Sequence, residues 1–164
     1  MKRPNSSMQL TRGADYAVRV MIQLALSEND ARFSLLELAE ATDAPESFLS
    51  KILQSLAHAR HISSRRGQTG GFRITKRGRD ASMREIIEAV DGPICLNVCL
   101  IQGRSCPRKD HCPAHPVWQC AQRALFDVLS GVTVAQMADQ SHLGAAAHRT
   151  IAAPAFHTLS KSVA

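Results

Sequence analysis

The sequence lacks the features of a membrane or secreted protein. No part of its 164 residues approaches the run of about 20 apolar residues that a membrane-spanning helix needs. The amino-terminal segment MKRPNSSMQL has no apolar stretch of the kind found in a secretory signal. Hydrophobic residues make up 45% of the chain and charged residues 21%, which excludes disorder throughout. We therefore expect a globular, cytoplasmic protein without a membrane partner.

Acidic residues are absent between Arg60 and Arg79, a segment that contains seven basic residues. The net charge of +6 is also uneven, because residues 1–84 hold 14 of the 20 basic and 8 of the 14 acidic side chains. A one-sided basic patch on a small domain favours a polyanionic partner, usually nucleic acid. A solvated surface without a partner is the alternative.

Cysteine is absent from the first 94 residues, and the chain contains no C-x-x-C motif. All five cysteines lie between Cys95 and Cys120. Because the number is odd and the expected compartment is reducing, a disulfide framework is not predicted. Clustered cysteines in such a compartment are more often metal ligands or redox groups.

Three segments predict a helix-turn-helix preceded by one further helix. Apolar residues recur at helical spacing from Leu10 to Leu26. A capping box at Ser34 and Glu37 opens a short helix to about Ala41. After a turn at 42–44, Pro45 is predicted as the first residue of a helix that ends near Ala59.

The second helix of this motif divides into two faces. Its predicted apolar stripe consists of Phe48, Leu49, Ile52, Leu53 and Leu56. The opposite face carries small or hydrogen-bonding side chains: Ser47, Ser50, Lys51, Gln54 and His58. We expect Ser47, Ser50 and Lys51, together with Gln54, to contact base edges of double-stranded DNA.

The segment from Ile62 to Ile74 predicts a β-hairpin, because two strand-like runs flank a glycine-rich turn. A hairpin directly after a helix-turn-helix forms a wing. Its predicted DNA contacts, in the minor groove or on the backbone, are Arg65, Arg66, Gln68, Thr69 and Arg73.

The predicted fold class is mainly α, a winged helix-turn-helix with a small hairpin wing and a long C-terminal dimerisation helix. The DNA-binding domain spans 8–80, and a cysteine-bearing loop with the long helix spans 81–139. That helix begins at Pro116 and has a wide apolar stripe, which packs against a second copy, against the first helix of its own chain, or both. Residues 140–164 are predicted to form a flexible tail.

The cysteine spacing favours an iron–sulfur cluster. The pattern is Cys95-x3-Cys99-x6-Cys106-x5-Cys112-x2-His115, in a loop that contains proline and glycine. A single zinc ion usually draws on tighter pairs, whereas cluster ligands occur at more varied spacings and are often followed by proline. Structural zinc and unmetallated redox thiols remain alternatives. A thiol redox enzyme is disfavoured, because the sequence offers no supporting catalytic constellation.

Over residues 8–139 the sequence resembles the Rrf-two (Rrf2) family of bacterial winged-helix transcription regulators. The matching segments are MQLT at 8–11, DYAVR at 15–19, LLELA at 35–39, SFLSKIL at 47–53, RG at 66–67, GGF at 70–72, the three cysteines Cys99, Cys106 and Cys112, and HPVW at 115–118.

The resemblance implies a homodimer in which the long helices cross, and a 2Fe–2S or 4Fe–4S cluster held by Cys99, Cys106 and Cys112. The fourth ligand differs between members of the family. His115 matches a histidine used by one member, and Asp15 matches an aspartate that another supplies from the partner subunit. The expected function is a DNA-binding regulator, a repressor, whose operator binding the cluster controls in response to redox state, nitric oxide or iron.

Overall fold

The computed structural model describes residues 10–27, 31–67, 69–101, 103 and 106–142. It confirms the predicted class, a mainly helical fold with one two-stranded antiparallel hairpin. The helices are α1 (Arg12–Leu26), α2 (Leu35–Thr42), α3 (Glu46–His58), α4 (Lys76–Asp80), α5 (Met83–Asp91), α6 (Ala114–Ser130) and α7 (Val134–His142), and the strands are β1 (Ile62–Arg65) and β2 (Gly71–Ile74). Within the described part of the chain, no helix is long and apolar enough to cross a membrane.

Hydroxyl side chains set where α1, α2 and α5 begin. The Thr11 hydroxyl accepts from the Ala14 amide at α1. Ser34 forms the predicted capping box with Glu37 at α2, and Ser82 forms a second one with Glu85 at α5. The Ser82 amide and hydroxyl donate to Glu85, which lowers the pKa of that carboxyl below its usual value. Each contact satisfies amide or hydroxyl groups that the helix itself leaves unpaired.

Two helix starts, one helix end and one whole helix differ from the sequence predictions. Pro45 is the N-cap of α3 and not its first residue, because its backbone is extended (φ −60°, ψ 131°). Helix α6 begins two residues before Pro116, which fits the first turn because a proline needs no amide partner there. Helix α4, after the N-cap Thr75, was not predicted at all. Helix α7 ends at His142, inside the segment predicted as tail, and residues 143–164 lie outside the described part.

The core forms where α1 crosses α2, α3 and α5. The buried face of α1 includes Ala17, Val20, Met21 and Leu24. Against it lie the buried residues of α3, which are Leu49, Ile52, Leu53 and Leu56. Phe48, predicted in the same stripe, is instead exposed, with 48% of its surface accessible. The packing therefore orients α3 so that its polar face points outward.

The wing is a two-stranded antiparallel hairpin, to which one residue from the segment before α2 adds an isolated bridge. Ile62 pairs with Ile74 and Arg65 with Gly71 in the antiparallel hairpin. Phe33, just before α2, adds a bridge to Phe72 through two backbone hydrogen bonds of 2.8 and 2.9 Å. The wing is thereby attached to the helix-turn-helix by backbone contacts and not only through the chain connection.

Near its C-terminal end, the long helix α6 packs on α1 and α5. Leu129 and Leu125 join Ala14 of α1 and Ile87 of α5 in a second small core. The Arg84 guanidinium lies 3.5 Å from the centre of the Phe126 ring. The remainder of the predicted apolar stripe is largely uncovered in the single chain, since Val117 is 65% and Val128 40% exposed.

Helix α3 ends in a Schellman motif. The His61 amide donates to the Leu56 carbonyl and the Arg60 amide to the Ala57 carbonyl, each at 3.0 Å. Arg60 occupies the left-handed region with φ 63°, a position where glycine is common. The reversal from α3 into β1 therefore holds a non-glycine residue in an unfavourable backbone conformation.

We predict that Arg60→Gly stabilises the fold. Relief of the left-handed conformation is worth about 1–2 kcal/mol, and the added freedom of the unfolded chain offsets about 0.5–1 kcal/mol of it. The melting temperature followed by circular dichroism should rise by about 2–4 °C per kcal/mol. Ala59→Gly, at a right-handed position, is the matched control and should lower it. A lower melting temperature for Arg60→Gly than for the wild type would contradict this account.

A second prediction concerns His61, which is buried at the junction between α3 and the wing. Burial, and then the nearby Arg77 charge, lower the pKa of its imidazole, with Glu85 acting in the opposite direction. Between the lowered pKa and about 6.5, the unfolded chain binds a proton that the folded chain does not. Stability is therefore complete above about pH 6.5 and declines as the pH falls.

Chemical denaturation at pH 7.5 and pH 5.5 tests this. His61→Leu should reduce the loss of unfolding free energy between the two values, whereas His58→Gln serves as the control for removing an exposed histidine. An equal loss in wild type and His61→Leu would show that His61 is not responsible.

Candidate nucleic-acid interface and cysteine loop

The recognition face of α3 brings together the side chains that were predicted to read DNA. Ser47, Lys51 and Gln54 are exposed and Ser50 is partly exposed. They lie on the side opposite the buried leucine and isoleucine residues of the same helix. Because that buried side is fixed against α1, the orientation of this polar face is fixed as well.

The tip of the wing presents Arg65, Arg66 and Thr69 to solvent. Gln68 lies outside the described residues. Arg73 differs from the other predicted contacts, because it is only partly exposed and its Nε donates to the Ser63 hydroxyl at 3.2 Å. That hydrogen bond links opposite positions of the hairpin. Arg73 thus has a structural contact in the wing in addition to any contact with DNA.

The contact between the wing and Phe33 requires a glycine at position 71. Gly71 has φ 129°, and a Cβ atom there would lie 2.7 Å from the Phe33 carbonyl oxygen. The Arg32 guanidinium donates to the Gly71 carbonyl at 3.2 Å. A side chain at this position would separate the wing from the segment before α2.

An open cleft of about 420 Å³ lies at the base of the wing and extends its positive surface. Its lining consists of Ser63, Arg73, Ile74, Thr75, Lys76 and Arg79. Arg79 has a structural role, because it donates to the Ala25 and Ser27 carbonyls at the end of α1, both at 3.1 Å. Lys76 also lines this cleft, and its charged side chain is exposed.

The cysteine loop is fastened to two helices where it begins. The Gln122 side chain of α6 accepts from the Leu96 amide at 2.8 Å and donates to the Ile94 carbonyl at 3.1 Å. Glu88 of α5 accepts from the Ile94 amide at 3.2 Å. Between these contacts the Cys95 thiol donates to the Asn97 carbonyl at 2.9 Å. The sequence analysis did not identify Gln122 or Glu88 as part of this site.

The predicted cluster ligands are not gathered into one site in the single chain. All five cysteines are free, with Cys99, Cys106 and Cys112 partly buried. Among the residues that the structure describes, no three His, Cys, Asp or Glu side chains are arranged to hold a metal ion. Asp15 lies on α1, where its carboxylate is 2.8 Å from the Arg19 guanidinium in an exposed ion pair.

His115 differs from the other predicted ligands, because it is buried. It lies in the first turn of α6, three residues after Cys112, whose carbonyl accepts from the His115 amide at 3.1 Å. Only 7% of its surface is exposed, and neither ring nitrogen has a hydrogen-bond partner within the described part of the chain. A buried imidazole without partners costs free energy. Together with three thiols, an imidazole fits iron–sulfur and zinc chemistry.

The profile of the family described as "Rrf2: Iron-dependent Transcriptional regulator" matches residues 10–140. The chain belongs to the Rrf2 family. Rrf2 proteins are transcriptional regulators, so the chain is a DNA-binding regulator and not an enzyme. The resemblance inferred from the sequence motifs is thereby confirmed.

Individual relatives agree with the Rrf2 assignment. The HTH-type transcriptional regulator IscR of Pectobacterium atrosepticum is 27% identical, over 83% of this chain and 82% of its own. Two solved structures share the fold. CymR, the global cysteine regulator of B. subtilis, has a TM-score of 0.65 at 23% identity and covers 81% of this chain and 98% of its own. T. potens IscR has a TM-score of 0.63 at 24% identity, over 82% and 89%.

For this Rrf2 protein we predict that Arg66→Ala weakens binding to its operator. Loss of one phosphate contact should reduce the slope of log K against log salt by about 0.9. The salt dependence can be measured by fluorescence anisotropy with a labelled duplex. Arg123→Ala removes an exposed arginine of α6 and is the matched control, with no expected change. An unchanged affinity and slope for Arg66→Ala would remove the wing tip from the interface.

Proposed function

We propose that this Rrf2 protein is a homodimeric repressor whose operator binding is controlled by an iron–sulfur cluster. Cys99, Cys106 and Cys112 would hold the cluster, with His115 as the fourth ligand. When bound, such a cluster supplies a group that is altered or lost upon oxidation, nitrosylation or iron shortage. Operator binding then follows the state of the loop that carries the ligands.

The observation that carries this proposal is the unpartnered, buried imidazole of His115. Folding has removed this ring from water without giving either nitrogen a partner within the described residues, a cost of about 1–3 kcal/mol for each unsatisfied group. A ligand role accounts for that cost. Asp15, the other candidate, already has Arg19 as a partner and is exposed.

The exposed face of α6 supports the homodimer. The helix has 17 residues, a length of about 25 Å. Its uncovered apolar residues include Val117 and Val128, which occupy separate turns of the same helix. An apolar surface of this kind is typical of a subunit interface. A second copy is the occupant implied by the family resemblance.

The contacts at the start of the loop provide a route from the ligands to the DNA-binding domain. Gln122 and Glu88 hold the loop to α6 and α5. Helix α5 packs on α1, and α1 supports α3. A bound group shifts the population of a conformation only if it binds two conformations unequally. Binding of a cluster by Cys99, Cys106 and Cys112 in one of the two conformations is the difference that we propose.

A thiol-based sensor without iron is the second candidate. The thiols are free, and no three metal-binding side chains are grouped in the described part of the chain. The structure of Staphylococcus aureus CymR in an oxidised form, 26% identical with a TM-score of 0.63 over 80% of this chain and 97% of its own, is among the similar structures. A structural zinc ion held by the same cysteines is a variant of this candidate.

Anaerobic purification followed by absorption and Mössbauer spectroscopy separates these functions. The proposal predicts coloured protein with iron and inorganic sulfide, and loss of both in Cys106→Ser. Cys120→Ser, which changes an exposed cysteine outside the proposed ligands, is the control and should keep the colour. Colourless protein with stoichiometric zinc would support the zinc variant, and colourless protein without metal would support the thiol sensor.

The fourth ligand gives a further prediction. His115→Ala should change the absorption and Mössbauer spectra of the purified protein, whereas Asp15→Ala should leave them as in the wild type. In the metal-free protein, His115→Leu should raise the unfolding free energy by about 1–2 kcal/mol, because two unpartnered nitrogens are removed from the interior. Spectra altered by Asp15→Ala alone would reverse the assignment.

A further inference from the structure

Phe48 is an exposed aromatic side chain on an otherwise polar recognition face. It lies in the first turn of α3, directly after Ser47 and three residues before Lys51. Almost half of its surface, 48%, is accessible, although the next residue, Leu49, is fully buried. Phe48 is not part of the hydrophobic core, to which α3 contributes Leu49, Ile52, Leu53 and Leu56.

The Phe48 ring is held in position by α1. Its ring packs edge-to-face on Tyr16, with 6.1 Å between the centroids and 74° between the planes. The Arg19 guanidinium in turn lies 5.9 Å from the centre of the Tyr16 ring. An aromatic ring supported in this way loses little further freedom when it binds a partner. The exposed part of the ring therefore projects from a fixed place at the edge of the polar face.

We propose that Phe48 is a specificity-determining residue that contacts the 5-methyl group of a thymine in the operator. The inference rests on the proposed function, in which α3 enters the major groove of the operator. There the first residues of a recognition helix contact base edges. Thymine alone presents an apolar methyl group in that groove, and phenylalanine is one of the side chains that contact it.

The neighbouring side chains cannot provide this recognition. Ser47, Ser50, Lys51 and Gln54 offer hydroxyl, ammonium and amide groups, which read hydrogen-bond donors and acceptors. They distinguish thymine by its carbonyl oxygen and not by its methyl group. Phe48 adds an apolar contact to a polar set, so the two kinds of contact together select thymine over every other base.

Removal of the methyl group alone tests the proposal. An operator is first selected by the wild-type protein from a library of random duplexes. Each thymine in the half-site is then replaced by deoxyuridine, which preserves every hydrogen-bonding group. At one thymine of the half-site, wild-type affinity should fall about fourfold for each methyl group removed. Phe48→Ala should bind the thymine operator more weakly and show no loss with deoxyuridine at that position.

Two further variants make the result specific. Phe48→Leu keeps an apolar side chain and should retain part of the preference for thymine. Leu36→Ala removes an apolar side chain of α2 that is equally exposed, at 53%, and should leave the preference intact. Circular dichroism and sedimentation confirm that each variant keeps its fold and oligomeric state.

Three other results would overturn the inference, and a fourth would overturn the proposed function on which it rests. An equal deoxyuridine effect in wild type and Phe48→Ala shows that another residue reads the methyl group. A loss of affinity that is the same for all duplexes assigns Phe48 to the sugar-phosphate backbone, and a change of oligomeric state assigns it to a subunit contact. If the wild-type protein selects no sequence, the proposed function itself fails, which is distinguishable from failure of the Phe48 contact alone.

Discussion

The burial of one side of α3 against α1 is the constraint on which the rest of the structure depends. Leu49, Ile52, Leu53 and Leu56 are removed from water on that side, which stabilises the helix by about 1.5–3 kcal/mol for each side chain. The same contact decides which residues face outward. The polar recognition face, the edge position of Phe48 and the departure of the wing all follow from it.

The DNA-binding domain and the cysteine loop are held in place by different contacts. The wing and helix-turn-helix are tied together by backbone hydrogen bonds at Phe33 and by the Arg79 contacts to the end of α1. Gln122 and Glu88 hold the start of the loop after α5 by hydrogen bonds. At the other end of the loop, the buried ring of His115 has no hydrogen-bond partner among the described residues. We therefore propose that the change of state begins in the loop.

Much of the fold was predictable because its signals are local. The capping boxes at Ser34 and Ser82 and the glycine-rich turn act over three to ten residues. The exposure of Phe48 was not predictable in this way, because periodicity places it at the border of the stripe and only the crossing of α1 decides its side. The Gln122 contacts join residues 26 and 28 positions apart, and Arg79 reaches 54 positions back to Ala25. Such long-range contacts leave no periodic signal in the sequence.

The central claim is that the cysteine loop and the DNA-binding surface are coupled through a bound cluster. The most direct test is operator affinity, measured without oxygen on one preparation before and after the cluster is removed and again after it is rebuilt. The account predicts a reversible change of affinity that is absent in Cys106→Ser and present in Cys120→Ser. Equal affinity in all three states, in protein shown to carry the cluster, would contradict it.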